Sequence, residues 1–173
     1  MTTTSTSPSE QSTSLPGSYT LWFHSSSDND WTIASYHEIF NFSTAEEFWT
    51  LNKAVINRSK MLLNGMFFIM RQGIKPMWED PKNAKGGYIS WKVEKPDVPL
   101  AWENMAALFI TKDLGGFNKF IPTGISISPK KNNNIIKLWV ATDITPYEFE
   151  NLKMSENCIF KDELKLYKSH ASS

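Results

Sequence analysis

The chain of 173 residues has one cysteine, Cys158, which leaves no partner for an intramolecular disulfide and no ligand set for zinc. Cys158 reads as a small buried hydrophobe in a protein of a reducing compartment. No run approaches the roughly 18 consecutive apolar residues of a membrane span, and the N-terminus lacks the charged and apolar regions of a signal peptide. A soluble, cytoplasmic monomer that engages no membrane is expected. Excess charge of one sign is also missing: Lys plus Arg and Asp plus Glu each number 18, so the whole-molecule field cannot clamp phosphate backbones as a non-specific duplex binder does. Any nucleic-acid contact must be local. The three histidines, His24, His37 and His170, lie far apart without paired-ligand spacing, and nothing in the sequence supports catalysis. Glu46 and Glu47 read as first-turn acids of a helix rather than metal ligands. Neither catalysis nor a metal or cofactor is expected.

Aromatics, in contrast, are abundant: seven Trp and eleven Phe, enough to build surfaces as well as a core. The stretch from Met1 to about Ser18 is dominated by Ser and Thr and reads as a disordered tail, leaving residues 19–173 as one domain. Tyr19, Leu21 and Phe23 alternate with Thr20, Trp22 and His24 as a strand does. A polar turn over Ser25 to Asp30 leads into extended character from Trp31 to Phe40. Ser43 and Glu46 have capping-box spacing for an amphipathic helix running to about Arg58. Strands are predicted at Met66 to Arg71, Gly86 to Glu94, Gly124 to Ser128, Ile135 to Thr142 and Ile159 to Lys168. A second helix is predicted from Leu100 to Lys112, and a third begins at Thr145, Pro146 and Glu148. Strands dominate without regular strand–helix alternation, which argues for α+β with a mainly antiparallel sheet backed by helices.

The most informative stretch is the loop Pro76-Met77-Trp78-Glu79-Asp80, a large aromatic beside a carboxylate among Lys, Asn and Gly. Alone it is also compatible with a tryptophan covering the sheet edge. Its meaning sharpens with the order of features around it: Tyr19-Thr20-Leu21-Trp22-Phe23, Asp30-Trp31, Ala45-Glu46-Glu47-Phe48-Trp49, Gly73 to Asp80, Asn83, Gly86-Gly87, Ile136-Lys137-Leu138-Trp139 and Tyr167-Lys168-Ser169-His170. In this order the sequence resembles the translation initiation factor 4E family, over roughly Tyr19 to His170. The resemblance implies a curved, mainly antiparallel sheet of about eight strands backed by three helices on its convex face. It also implies a function, binding of the 7-methylguanosine cap of messenger RNA in translation initiation.

Methylation of guanine at position 7 leaves a delocalised positive charge on a flat ring. Trp31 and Trp78 match the family's stacking pair, and each indole contributes on the order of 0.5–2 kcal/mol of cation–π attraction. Guanine presents two adjacent N–H donors, which Glu79 would accept in a forked geometry that adenine cannot satisfy. The turn Lys130, Lys131 and Asn132 takes the place of the family's phosphate-binding loop. Tyr88 stands where the family has an arginine. Trp22, Trp91 and Trp139 sit in strand-like runs and read as structural rather than as ligand candidates.

Helical spacing puts Ala45, Phe48, Leu51 and Val55 on one face and makes Trp49 protrude. In the family this position meets a short helical motif of the scaffold factor 4G or of a 4E-binding repressor. Trp102 should share that surface, with Glu103 an acidic departure from the family's apolar residue. Activator and cap-binding repressor both remain open. So does a module that cages methylated lysine or binds protein without a cap, since Trp plus carboxylate also suits a small ammonium.

Overall fold

Period-two alternation in the first strand decides the architecture. In β1 (Ser14–Ser25), Tyr19 and Leu21 point to one side and Thr20, Trp22 and His24 to the other, and both sets are buried. A strand of this kind must be covered on both faces. The structure, a computed structural model, describes residues 11–57 and 61–172. The first strand begins at Ser14, five residues before the expected start at Tyr19, because Ser14 already pairs with Thr44. The first ten residues of the predicted tail and the predicted helix end at Arg58 lie outside the described residues.

The remaining strands are β2 (His37–Thr44), β3 (Gly65–Arg71), β4 (Gly87–Glu94), β5 (Pro122–Pro129), β6 (Asn133–Val140) and β7 (Leu166–Ser169). They form one curved sheet in the order β2-β1-β3-β5-β6-β4-β7 with every pair antiparallel. Seven described strands stand where about eight were expected. Most of the predicted last strand is not one: Lys161-Asp162-Glu163 interrupts its alternation, and Asp162–Leu164 is a 3-10 turn. Lys165 Nζ closes that turn on the Asp162 carbonyl at 3.2 Å.

Helices α1 (Ala45–Asn57), α3 (Val98–Ile110) and α4 (Pro146–Asn151) correspond to the three predicted, with a single extra turn, α2 (Met61–Asn64). The cap of α1 lies one residue later than its spacing suggested. Thr44 Oγ1 accepts from Glu47 N at 3.2 Å, and the Glu47 carboxylate accepts from the Ser43 and Thr44 N–H groups. Glu46 instead accepts the Thr13 N–H, which ties the chain ahead of β1 to the helix start. Helix α4 carries the complete box, with Thr145 and Glu148 bonded reciprocally and Pro146 at the first position.

The two faces of the sheet are packed differently. On one, Leu21, Phe67, Ile69, Ile125, Ile127, Ile136 and Leu138 meet Phe48 and Val55 of α1 and Trp102, Met105 and Phe109 of α3. Each such side chain contributes roughly 1.5–3 kcal/mol on burial. The opposite face carries a smaller aromatic cluster, Trp22, Phe68, Met70 and Trp139, with Tyr36, Met66 and Ile74 against it. No described helix is long and apolar enough to cross a membrane.

Candidate functional site

The smaller cluster forms the base of a cavity, and two loops raise aromatics above it. The first follows β1. Asp30 N donates to Asp28 Oδ1 at 2.9 Å and Thr32 N to Asp30 Oδ1 at 2.8 Å, winding the turn so that Trp31 leaves it facing the sheet's open side. Hydrogen bonds from Thr32, its backbone N–H first, hold the Asp30 carboxyl below the usual carboxylate range. Behind Trp31 the His24 ring stacks nearly parallel, centroids 4.4 Å apart and planes 7° off. His24 is fully buried, with Nε2 2.8 Å from the Asp30 carbonyl and Nδ1 without a partner among the described residues. One indole face is thus covered and the other left open, which fits the 54% exposure of Trp31.

The second loop is built around two buried polar side chains. The Asp80 carboxylate accepts from the N–H groups of Lys75 at 2.9 Å and Lys82 at 2.8 Å. Asn83 Nδ2 donates to the carbonyls of Lys75 at 3.1 Å and Met77 at 2.9 Å, and its Oδ1 accepts from Thr123 Oγ1 at 2.7 Å. The loop therefore carries its own scaffold and leaves Trp78 and Glu79 pointing outward, Trp78 being 50% exposed. Gly86 closes it against β6, where a Cβ would run into the Val140 carbonyl.

Trp31, Trp78 and Glu79 line one cavity of about 230 Å³, floored by Tyr36, Phe68 and Trp139. The three residues picked from sequence for base binding are thus brought together. Glu79 is close enough to Tyr36 for its charge to reinforce burial in raising the phenol above its ordinary range. Lys130, Lys131 and Asn132 stand exposed at the β5–β6 turn, where Lys130 N donates to the Asn133 carbonyl at 2.7 Å, and they do not line the cavity. The cation that does line it is Lys137, which sequence reasoning passed over. Trp139, read from sequence as structural, is buried with Nε1 donating to Ser126 Oγ at 3.0 Å, and it also forms part of the cavity wall. Strand parity was the available signal, since Lys137 and Trp139 are two apart on β6 and Trp139 faces the site.

Below this wall His170 connects the parts. Its Nδ1 lies 2.7 Å from the Asn83 carbonyl, and its ring is tilted against Trp139 and Tyr88 at 5.4 and 5.9 Å. Burial lowers its pKa, partly offset by the bond to Asn83.

The helical side presents the second surface read from sequence. Trp49 protrudes from α1, 42% exposed and edge-on to the buried Phe48 at 5.1 Å, and Ala45 is partly exposed beside it. Trp102 does not share this surface. It is 1% exposed and packs into the main core, because it falls on the sheet-facing stripe of α3 with Met105 and Phe109. Glu103, the next residue, turns outward and accepts from Asn52 Nδ2 of α1 at 3.3 Å. Cys158 is half-buried against the core, and burial raises its thiol.

The sequence model described as eukaryotic initiation factor 4E matches residues 14–173. Among curated proteins, the initiation factor isoform 4E of Arabidopsis thaliana is 26% identical over 142 residues, which cover 79% of this chain and 71% of that protein. The isoform 4E of Arachis hypogaea is 33% identical over 135 residues, covering 74% of this chain and 64% of that protein. The matched region thus spans about two thirds of the length of these relatives. The fold is shared with eIF4E-3 of Ascaris suum, solved with the m7G cap, at a TM-score of 0.69, 21% identity and coverage of 78% and 77%. It is shared too with the schistosome eIF4E complexed with m7GpppG and 4E-BP, at 0.70, 21%, 82% and 79%.

Proposed function

The chain belongs to the eukaryotic initiation factor 4E family, and from that premise we propose that it binds the 7-methylguanosine cap of messenger RNA in translation initiation. The observation that carries the proposal is the convergence of Trp31, Trp78 and Glu79 on one cavity. In this reading the base enters between the open face of Trp31 and Trp78. Cation–π attraction on two faces gives a preference for the methylated ring of roughly 1–4 kcal/mol, about five-fold to a thousand-fold. Glu79 accepts the two N–H groups of the guanine edge, a charge-assisted pair that only guanine offers. Trp139 closes the floor against the ring, and the lysines of the β5–β6 turn, Lys130 and Lys131 with Asn132, attract the phosphates that follow.

The part described from residue 14 onward acts as a single cap-binding domain of a cytoplasmic factor without catalytic activity. Its protein partner, a scaffold of the 4G kind or a 4E-binding repressor, presents a short helix to Trp49 and Ala45. Two relatives of the fold were solved with 4E-binding proteins, Mextli and 4E-BP, which supports a peptide-binding role for this chain. Glu103 at the edge of that surface favours a partner helix with a basic or hydrogen-bonding residue facing it.

The test is a tryptophan-fluorescence titration with 7-methyl-GTP against GTP, because stacking on exposed Trp31 and Trp78 quenches emission directly. Methyl-selective quenching is the expected result. Equal quenching by both nucleotides, or by neither, overturns cap binding and leaves a protein-binding member of the family.

A further inference from the structure

Lys137 is out of place for a solvated lysine. It lies mid-strand on β6, on the face with the aromatic cluster, paired with Ser90 of β4 and Ser126 of β5. Its side chain lines the cavity beside Trp78, Glu79 and Trp139. The ammonium sits over the Tyr88 ring, Nζ 4.0 Å from the centroid. Among the described residues it makes no ion pair, the two found being Lys119–Glu148 and Lys165–Asp162. Burial pushes its pKa down, and the charges of Lys130 and Lys168 push it in the same direction.

Register explains the grouping. Tyr88 pairs with Trp139 on one side and with Lys168 on the other, so Trp139, Tyr88 and Lys168 form a row across β6, β4 and β7. Residues directly opposite in antiparallel strands share a face. Lys137 stands one step along β6 from this row, on the same face, and the β5–β6 turn brings Lys130 from the other end. A half-buried ammonium that forms no ion pair even with Glu79 in the same cavity, and that lies in the field of two further cations, is a site arranged for an anion.

We infer that Lys137, seated on the Tyr88 ring between Lys130 and Lys168, grips the phosphate nearest the bound guanine, with Tyr88 as its positioning residue. The inference rests on the cap-binding reading of the cavity, and it gives Tyr88 a use at the position where the family resemblance led to an arginine. On this assignment the cation comes from β6, adjacent to β4, and the Tyr88 ring of β4 holds it there. The cavity wall, rather than the exposed turn at Lys131 and Asn132, then makes the first phosphate contact.

The experiment compares 7-methylguanosine, 7-methyl-GMP and 7-methyl-GTP as fluorescence quenchers of the full chain, in wild type, Lys137→Met, Tyr88→Leu and Lys112→Met. Lys112 is exposed just past the end of α3 and serves as a charge-matched comparison. Lys137→Met should keep the nucleoside affinity within about two-fold while losing about ten-fold or more of the gain that the first phosphate gives the wild type. The salt dependence of triphosphate binding should become shallower than in the wild type, because one charge contact has been removed. Tyr88→Leu should show a smaller loss in the same ratio, and Lys112→Met none. An unchanged phosphate gain in Lys137→Met overturns the inference, as does an equal loss for nucleoside and nucleotides, which would make Lys137 structural. If the wild type binds none of the three ligands, the cap reading fails and this inference with it; if it binds the nucleoside alone, only the inference fails.

Discussion

Replacing Asn83 with alanine tests whether the loop that carries Trp78 and Glu79 is pre-built. Asn83 is fully buried and makes three side-chain hydrogen bonds, to the Lys75 and Met77 carbonyls and from Thr123 Oγ1. Each such bond contributes about 1 kcal/mol net, and more is lost where the abandoned partner stays buried, as Thr123 at 2% exposure does. The sum is about 3–5 kcal/mol. For a chain of this size each kcal/mol lowers Tm by roughly 2–4 °C, so a drop of about 6–20 °C is expected by thermal denaturation. Binding should suffer separately. Trp78 and Glu79 lie between the residues Asn83 ties together, and re-ordering two freed side chains costs about 0.5–1.5 kcal/mol each, or roughly 5-fold to 150-fold in Kd for 7-methyl-GTP. The titration is run well below the variant's Tm, with circular dichroism confirming the fold. A Tm within about 2 °C of wild type together with unaltered affinity would refute the claim that this side chain builds the site.

Glu79→Ala should weaken 7-methyl-GTP binding by the 1.5–3 kcal/mol or more of a charge-assisted contact, with Tm unchanged because Glu79 is exposed; retained affinity in calorimetry would remove it from base recognition. Trp49→Ala should leave cap affinity intact while abolishing binding of a 4E-binding helical peptide, at least 2 kcal/mol for a central anchor, measured by fluorescence polarisation. Gly86→Ala should destabilise the fold by several kcal/mol or prevent folding, because the added Cβ meets the Val140 carbonyl, a backbone atom held in β6; a Tm equal to wild type would contradict that packing. His170 has its pKa lowered from 6.5, mainly by burial, so the unfolded chain binds more protons near that value than the folded one. Stability should therefore be complete above about pH 6.5 and fall as pH drops below it, and urea titrations of His170→Gln should show a flatter dependence; equal slopes for both proteins would exclude His170 as the cause.

Much of this was legible because it is local. Alternation at Tyr19 to His24 revealed a strand, which the structure covers on both faces, and Thr145-Pro146 with Glu148 marked a helix start that the structure reproduces bond for bond. The Trp78 loop was legible as an aromatic beside an acid, and Trp31 through its place in the resemblance. What escaped depended on position across the sheet. Trp102 was placed on the surface through the resemblance; its position on the sheet-facing stripe of α3 with Met105 and Phe109 buries it in the main core. The last strand shrank because Lys161-Asp162-Glu163 prefers a 3-10 turn over a ladder. Trp139 read only as structural because both faces of β6 are covered, so a tryptophan among apolar neighbours reads as core whichever way it points, and Lys137 two residues before it shared that face unrecognised.

The division of labour in the cavity follows from what each group can discriminate. On the proposed assignment, two indoles respond to positive charge on a flat ring but would accept any methylated or cationic base, with on the order of 0.5–2 kcal/mol per face. Glu79 responds to paired donors and would accept unmethylated guanine. Lys137 responds to phosphate and would accept any nucleotide. No single contact separates a cap from the nucleotides of a cell, but a ligand lacking one feature forfeits that contact's share. The shares combine as factors in Kd when the contacts are made at once, which requires the groups to be in place beforehand. That condition is met by parts that touch no ligand: His24 behind Trp31, Asp80 and Asn83 within the Trp78 loop, and Tyr88 beneath Lys137. Selectivity in this fold is therefore a property of the supporting residues as much as of the contacting ones.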